Sequence, residues 1–378
     1  MLDLALYNVS PTTGFLPETE PGFDPEANLE WHALALELPK LLHTPAFKRM
    51  VEELPEWQFG AEGVAQEIDL RTLSYLGHGY LWGEVTLPTA LPRELSRAWV
   101  GTAQALGRHP ILSYPAYCLF NWQRIDPGQP PVLGNIQIVQ NFLGGLDEDW
   151  FILIHVDIEY RAAKALTAIP ACLAAASTGE VDALSAGLEH VARGLEAMLA
   201  TLNRMPEACD PYIYYTRVRP YIFGTKNNPD LPNGLVYTGQ YGDAPQTFRG
   251  ETGAQSTIVP TLDGLLGVTH QNDPLKEYLL EMRDYMPLPH RRFLEAVEAQ
   301  STVRARVEAH RTDARLVAAY NHCVDTLYRF RARHLEYAAS YIHKQAQQAN
   351  NSNVVGTGGT PFMTYLAKHR EETLIAVH

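Results

Sequence analysis

The segment LVAAYNHCVDTLYRFRARHLEYAASYIHKQ, residues 316 to 345, constrains this chain most. Leu316, Tyr320, Cys323, Leu327, Phe330, His334, Tyr337 and Tyr341 follow in alternating steps of four and three, which puts them on one stripe of a helix. Seven are apolar or aromatic and His334 is the exception. A lone histidine on such a stripe is ordinarily a core residue satisfied by a neighbouring carbonyl. Here Arg331 lies one turn earlier and sets a fixed cation beside the imidazole. A neutral imidazole next to a guanidinium also suits a haem, with a nitrogen for iron and a partner for a propionate.

The rest of the chain is mainly helical by the same test. EANLEWHALALELPKLL, LPRELSRAWVGTAQALG and residues 181–202 repeat apolar side chains three and four apart, and Pro92 is placed to open the second. IQIVQNF and FILIHVDI are strand-like but short, and their composition does not separate a strand from a buried helix. At 378 residues the chain exceeds the roughly 250 to 300 at which one hydrophobic core stops growing. The Pro- and Gly-rich IDPGQPPVLGN, residues 125–135, marks the expected join between a small, mostly helical N-terminal domain (1–130) and a large all-helical domain (131–378). Residues 224–256 are dense in Gly, Pro, Asn and Asp and too long for a connector, which marks them as functional.

Composition excludes several partners. Thirty Lys and Arg against 43 Asp and Glu leave a charge of −13, which repels nucleic acid and anionic membranes. No apolar run reaches the roughly 18 residues of a spanning helix and the N-terminus lacks a signal-peptide pattern, so a cytoplasmic protein is expected. Cys118, Cys172, Cys209 and Cys323 have no C-x-x-C spacing and read as core thiols. GTGGT, residues 356–360, has no lysine after its glycines and no preceding strand, so it is not a phosphate loop.

YMPLPHRRFL, RFRARHLEYAASYI and GTGGTPFMTYL, with YLWG, PILSYPAYCLFNW, GLVYTGQY and AQSTIVPTLDGLLG, occur in an order that resembles the indoleamine 2,3-dioxygenases. These are haem enzymes that open the indole ring of tryptophan, and the resemblance spans about residues 14 to 370. It implies haem b, with His334 as the proximal iron ligand, Arg331 near a propionate and Asp263 as the partner of Arg331. It places Arg219 on the substrate carboxylate, an assignment that a slip in alignment would exchange with Arg217. It places Thr252, followed by Gly253, on the substrate ammonium, and Tyr114, Tyr117, Phe151 and Tyr214 along the indole. GTGGT becomes a loop that closes over the pocket, with Thr357 and Gly358 facing inward. The implied reaction inserts O2, the co-substrate, across the indole C2–C3 bond of L-tryptophan or a related indole amino acid to give N-formylkynurenine. The partners expected are that aromatic amino acid and an unidentified reductant, for a monomer or small homo-oligomer.

The departures from the pattern bear on the substrate. His155 stands where the animal enzymes have a small serine, and as a third catalytic candidate with Arg219 and Thr252 it could accept the indole N–H or donate to bound oxygen. Tyr214 and Tyr215 replace phenylalanines, Tyr117 replaces a cysteine, and Phe223 to Thr225 reads FGT against SGW. Two alternatives stay open: an oxygenase of the same fold that inserts one atom into another aromatic substrate, and a haem protein that binds a diatomic gas without turnover.

Overall fold

The computed structural model describes residues 2–22, 27–84, 86–348, 357 and 362–375. The described chain is mainly α, as expected. Six of its helices position the site: α1 (Gly63–Trp82), α2 (Leu146–Leu166), α3 (Val181–Leu202), α4 (Ile258–Leu266), α5 (Ala314–Ala338) and α6 (Phe362–Glu372).

FILIHVDI lies inside α2. Asp147, Glu148 and Asp149 in its first turn and Lys164 in its last complement the helix dipole, and the helix is buried over much of its circumference. That burial gives the β-branched, mostly apolar run which resembles a strand. IQIVQNF does contain a strand, Ile136–Ile138, antiparallel to Trp122–Arg124 with Trp122 opposite Ile138.

Helices α2 and α5 both pack along α3. One hydrophobic core surrounds them, drawing Ile154, Leu166, Leu188, Leu195, Leu262 and Leu327 together with Val9 and Phe15 of the N-terminal segment. The other gathers around α1 and four buried tryptophans, Trp31, Trp57, Trp99 and Trp122, and takes in Ile222, Leu235 and Tyr237 from the later chain. The two cores meet at α2, whose Ile152 and Val156 belong to the second and Ile154 and Ile158 to the first.

Residues 224–256 are ordered with little regular structure. Val236–Tyr237 pairs in parallel with Ala90–Leu91, and the Tyr237 hydroxyl donates to the Pro110 carbonyl at 2.6 Å. The backbone crosses itself at Gly224 and Gly250: a Cβ on either would lie 2.2 Å from the other's nitrogen. Only glycine permits that approach.

Candidate active site

The stripe of α5 changes character along its length. Leu316, Tyr320, Cys323 and Leu327 are fully covered by protein. Phe330 and Tyr337 are half-buried and His334 is exposed, so the apolar face opens where the histidine lies. Burial nevertheless lowers the His334 pKa to about 4, helped by the positive charges His155 and Arg331 would place nearby. Accessible surface together with desolvation puts the imidazole on an open face that has protein close around it. At neutral pH it is uncharged, as a metal-ligating imidazole must be.

Arg331 is held in place from two sides. Its Nη1 donates to Asp263 Oδ1 at 2.9 Å and to Thr373 Oγ1 of the α6 end at 2.6 Å, and its Nη2 donates to Asp263 Oδ2 at 2.5 Å. Burial would raise the Asp263 carboxyl, but Arg331 and His270 hold it below the usual carboxylate range. The pair is therefore ionised and bidentate, so the guanidinium is fixed beside the cleft.

Helix α2 forms the opposite wall. Phe151, His155 and Glu159 are four residues apart and share a face. The rings of Phe151 and His155 are 4.6 Å apart, Phe151 and Tyr214 4.7 Å, and Tyr114 and His155 5.9 Å. His155 Nδ1 lies 2.7 Å from the Phe151 carbonyl, which can only accept, so Nδ1 carries the hydrogen. Burial lowers the His155 pKa against this bond, and the neutral ring keeps its lone pair on Nε2.

Three π-helical turns carry the remaining aromatics. Tyr114 precedes and Tyr117 lies in Pro115–Leu119, Tyr214 opens Tyr214–Val218, and Tyr341 in Ala339–His343 meets Tyr214 at 5.8 Å. Such turns widen a helix locally and recur at functional sites. Arg219 follows the second turn and is buried, its guanidinium over the rings of Phe223 at 4.4 Å and Tyr215 at 5.2 Å. Burial lowers its pKa from a very high starting value, so it remains a cation. Arg217 is exposed.

The polar edge is assembled from three segments. The Glu251 N–H donates to the Ile222 carbonyl at 3.1 Å, one turn past Arg219, and the Gly224 N–H donates to the Thr357 carbonyl at 3.2 Å. The Thr357 hydroxyl donates to the Glu251 carbonyl. Thr252 Oγ1 accepts the Ala254 N–H at 3.4 Å and keeps its own hydrogen to donate. Gly253 is exposed and a Cβ there would meet nothing. Gly358 lies outside the described residues.

Sequence reasoning missed part of this wall. Glu159 Oε1 accepts from the Tyr114 and Ser256 hydroxyls, both at 2.8 Å, and burial raises its pKa to about 7. Gln255 accepts the Tyr114 N–H and donates to the Gly250 carbonyl, both at 2.9 Å. Glu251 is buried, and burial alone raises its pKa to about 8. The available signal was a glutamate one turn after His155, on the face of the helix that also carries Phe151.

Among the described residues, His270, His369 and Glu372 form the only cluster with metal-ligand spacing. The two imidazoles stack in parallel at 3.9 Å, so their in-plane lone pairs do not converge, and Glu372 already accepts from His270.

An open apolar face, a neutral histidine on it and an anchored guanidinium beside it fit a haem, and together they define a helical haem protein. The family model of indoleamine 2,3-dioxygenase matches residues 3–376. The chain is 34% identical to indoleamine 2,3-dioxygenase 1 of Rattus norvegicus over 368 residues, covering 92% of this chain and 89% of the relative. It is 30% identical both to a 6-hydroxytryptophan 2,3-dioxygenase of Fusarium equiseti (99% and 98% covered) and to a myoglobin of Haliotis madaka (98% and 98%). The chain belongs to the indoleamine 2,3-dioxygenase family, and is a haem b-dependent dioxygenase that uses O2. Among the described residues no helix is long and apolar enough to cross a membrane.

Proposed function

We propose that the chain cleaves the indole C2–C3 bond of L-tryptophan or a closely related indole amino acid, with His334 as the residue that would hold the haem iron. Haem supplies the binding and activation of O2. Arg331 would hold a propionate, with Asp263 keeping the guanidinium in place. Arg219 clamps the substrate carboxylate, since its fork matches a carboxylate bidentately. The Thr252 hydroxyl would hold the ammonium, and Gly253 leaves room for it. His155 accepts the indole N–H on Nε2, which also orients the ring. Tyr114, Tyr117, Phe151 and Tyr214 wall the ring, and the segment of Thr357 and Gly358 covers the pocket and excludes water.

The observation that carries this reading is the stripe of α5, covered by protein up to Leu327 and open at His334, across the cleft from the lone pair of His155. A buried cation and an N–H acceptor serve an amino acid and not a diatomic gas, so the enzyme is favoured over a gas carrier. The 6-hydroxytryptophan relative and the added polar groups support including ring-substituted tryptophans in the proposed substrate class. We further propose a cytoplasmic monomer or small homo-oligomer, with residues 1–130 as the small domain over the distal side and residues 131–378 carrying the haem, served by a separate reductant.

The test is mass spectrometry of the product formed by the reduced holoprotein from L-tryptophan under isotopically labelled O2. A product carrying both labelled atoms is expected. A singly labelled product would assign a one-atom insertion instead.

A further inference from the structure

Tyr221 ends the short 3₁₀ turn that Arg219 opens, and a buried imidazole of α1 holds that end. His78 is fully covered by protein, and its Nδ1 lies 2.7 Å from the Tyr221 carbonyl. The Leu112 N–H donates to its Nε2 at 3.0 Å. A carbonyl can only accept and a backbone N–H can only donate, so Nδ1 carries the hydrogen and Nε2 the lone pair. Burial lowers the His78 pKa to about 4, which keeps the ring neutral and both bonds intact at physiological pH. The Trp99 ring stands edge to face with the imidazole at 5.9 Å, and a Cβ on the neighbouring Gly77 would lie 2.1 Å from the same indole. Glycine before His78 therefore lets Trp99 close on the helix and fix the imidazole plane.

The two bonded atoms belong to different walls of the pocket. Leu112 is two residues before Tyr114, whose own N–H is held by Gln255 at 2.9 Å. Tyr221 is two residues after Arg219, and the Ile222 N–H closes the turn onto the Arg219 carbonyl at 3.2 Å. The Tyr221 side chain is fixed as well. Its ring stacks on Phe142 at 5.3 Å, and its hydroxyl donates to His43 Nε2 at 2.9 Å, while His43 Nδ1 donates to the Gly83 carbonyl at 3.2 Å. Satisfying two backbone groups is by itself a structural duty. What gives His78 reach into substrate binding is that one rigid ring bonds both segments directly and so sets their spacing.

Resting on the indole amino acid reading of the site, we propose that His78 is a positioning residue for the substrate: by tying Leu112 to Tyr221 it sets the distance between the Arg219 guanidinium, which takes the carboxylate, and the Tyr114 wall, which takes the ring. Carboxylate and indole are joined by a short chain, so a clamp displaced from the wall satisfies one end of the substrate only. Loss of the imidazole therefore weakens amino acid binding through Arg219, without removing any group that touches the substrate. A general loosening of the fold would instead act whether or not Arg219 is present.

The test is a double-mutant cycle on the reduced holoprotein under carbon monoxide, which stands in for O2 without turnover, with L-tryptophan dissociation constants measured by calorimetry. His78→Leu is expected to raise the dissociation constant ~10-fold, and His78→Gln, which offers an amide donor and acceptor, ~3-fold or less. In the Arg219→Leu background the same His78→Leu change should weaken binding by less than about twofold, because the clamp it positions is already gone. Equal losses in the two backgrounds overturn the proposal, as does an unchanged dissociation constant in folded His78→Leu protein. Should His78→Leu fail to fold, His78→Asn carries the same cycle. It keeps a donor toward Tyr221 but is too short to accept from Leu112, so ~3-fold weaker binding is expected in the wild-type background and no change in the Arg219→Leu background. If Arg219→Leu alone leaves tryptophan binding unchanged, the underlying site reading fails, whereas a large Arg219→Leu effect with additive His78 losses sinks the positioning role alone.

Discussion

His155 Nδ1 donates to the Phe151 carbonyl one turn earlier in the same helix, at 2.7 Å. This single bond fixes the tautomer, and with it the role: Nε2 can accept a hydrogen from substrate but, while the ring is neutral, has none to give. Since burial lowers its pKa, His155 stays neutral at physiological pH. Protonation of His155 should reduce kcat/KM only below the ordinary imidazole value of 6.5, and His155→Ser should keep haem while lowering kcat/KM by ~10-fold or more. A pH profile with its acid limb centred well above pH 6.5 would contradict the assignment.

Loss of the neutral imidazole on α5 should abolish haem ligation. His334→Ala protein is expected to purify without the absorbance band of histidine-ligated haem, and added imidazole should restore part of it by filling the space left. Normal ligation in the variant would move the iron ligand elsewhere.

The two arginines near the second π turn differ in burial, and so should their variants. Arg219→Leu removes a charge-assisted bond of about 1.5 to 3 kcal/mol, which corresponds to roughly a 10- to 100-fold fall in kcat/KM for amino acid substrates. Exposed Arg217→Leu should change it by less than about twofold. Steady-state kinetics on both variants separate the assignments.

Gly250 holds two segments of the site against each other. In Gly250→Ala the new methyl meets the Gly224 nitrogen and the Ile222 carbonyl oxygen, 2.2 and 2.4 Å away, and neither backbone atom can yield cheaply. A stability loss of ~1 to 3 kcal/mol is expected by urea denaturation, with weaker substrate binding in the protein that remains folded. A stable variant with native affinity would show that the crossing is not needed.

Glu251 also makes a prediction about stability against pH. Its folded pKa, about 8, lies above the ordinary carboxyl value of 4.5. The native state thus binds the extra proton between those values, and stability from this group, full below 4.5, is lost as the pH rises through 8. Glu251→Gln should gain on the wild type by roughly 1.4 kcal/mol per pH unit between about pH 5 and 8, as measured by denaturation across that range. A constant difference would mean that the carboxyl ionises normally.

Much of the helical architecture was legible because helical spacing survives in a single sequence. The stripe from Leu316 to Tyr341, and His334 as its odd member, needed no partner to be seen. FILIHVDI was not legible, since a helix buried on several faces loses the period that identifies it. Arg217 and Arg219 could not be told apart in the linear chain, because which side of a π turn faces inward depends on what packs against it.

By itself, then, the sequence determined the helices, the family resemblance and the side chains able to ligate, clamp and accept. Tertiary structure decided their states. The Phe151 carbonyl chose the tautomer of His155, Asp263 and Thr373 fixed the direction of Arg331, and the Gly224–Gly250 crossing brought Glu251 to the Arg219 turn. The buried, unpartnered phenol of Tyr117 and the burial that raises the Glu251 carboxyl pKa belong to the same level. The cost of a buried polar group depends on the neighbours that surround it, and those neighbours come from segments more than a hundred residues apart.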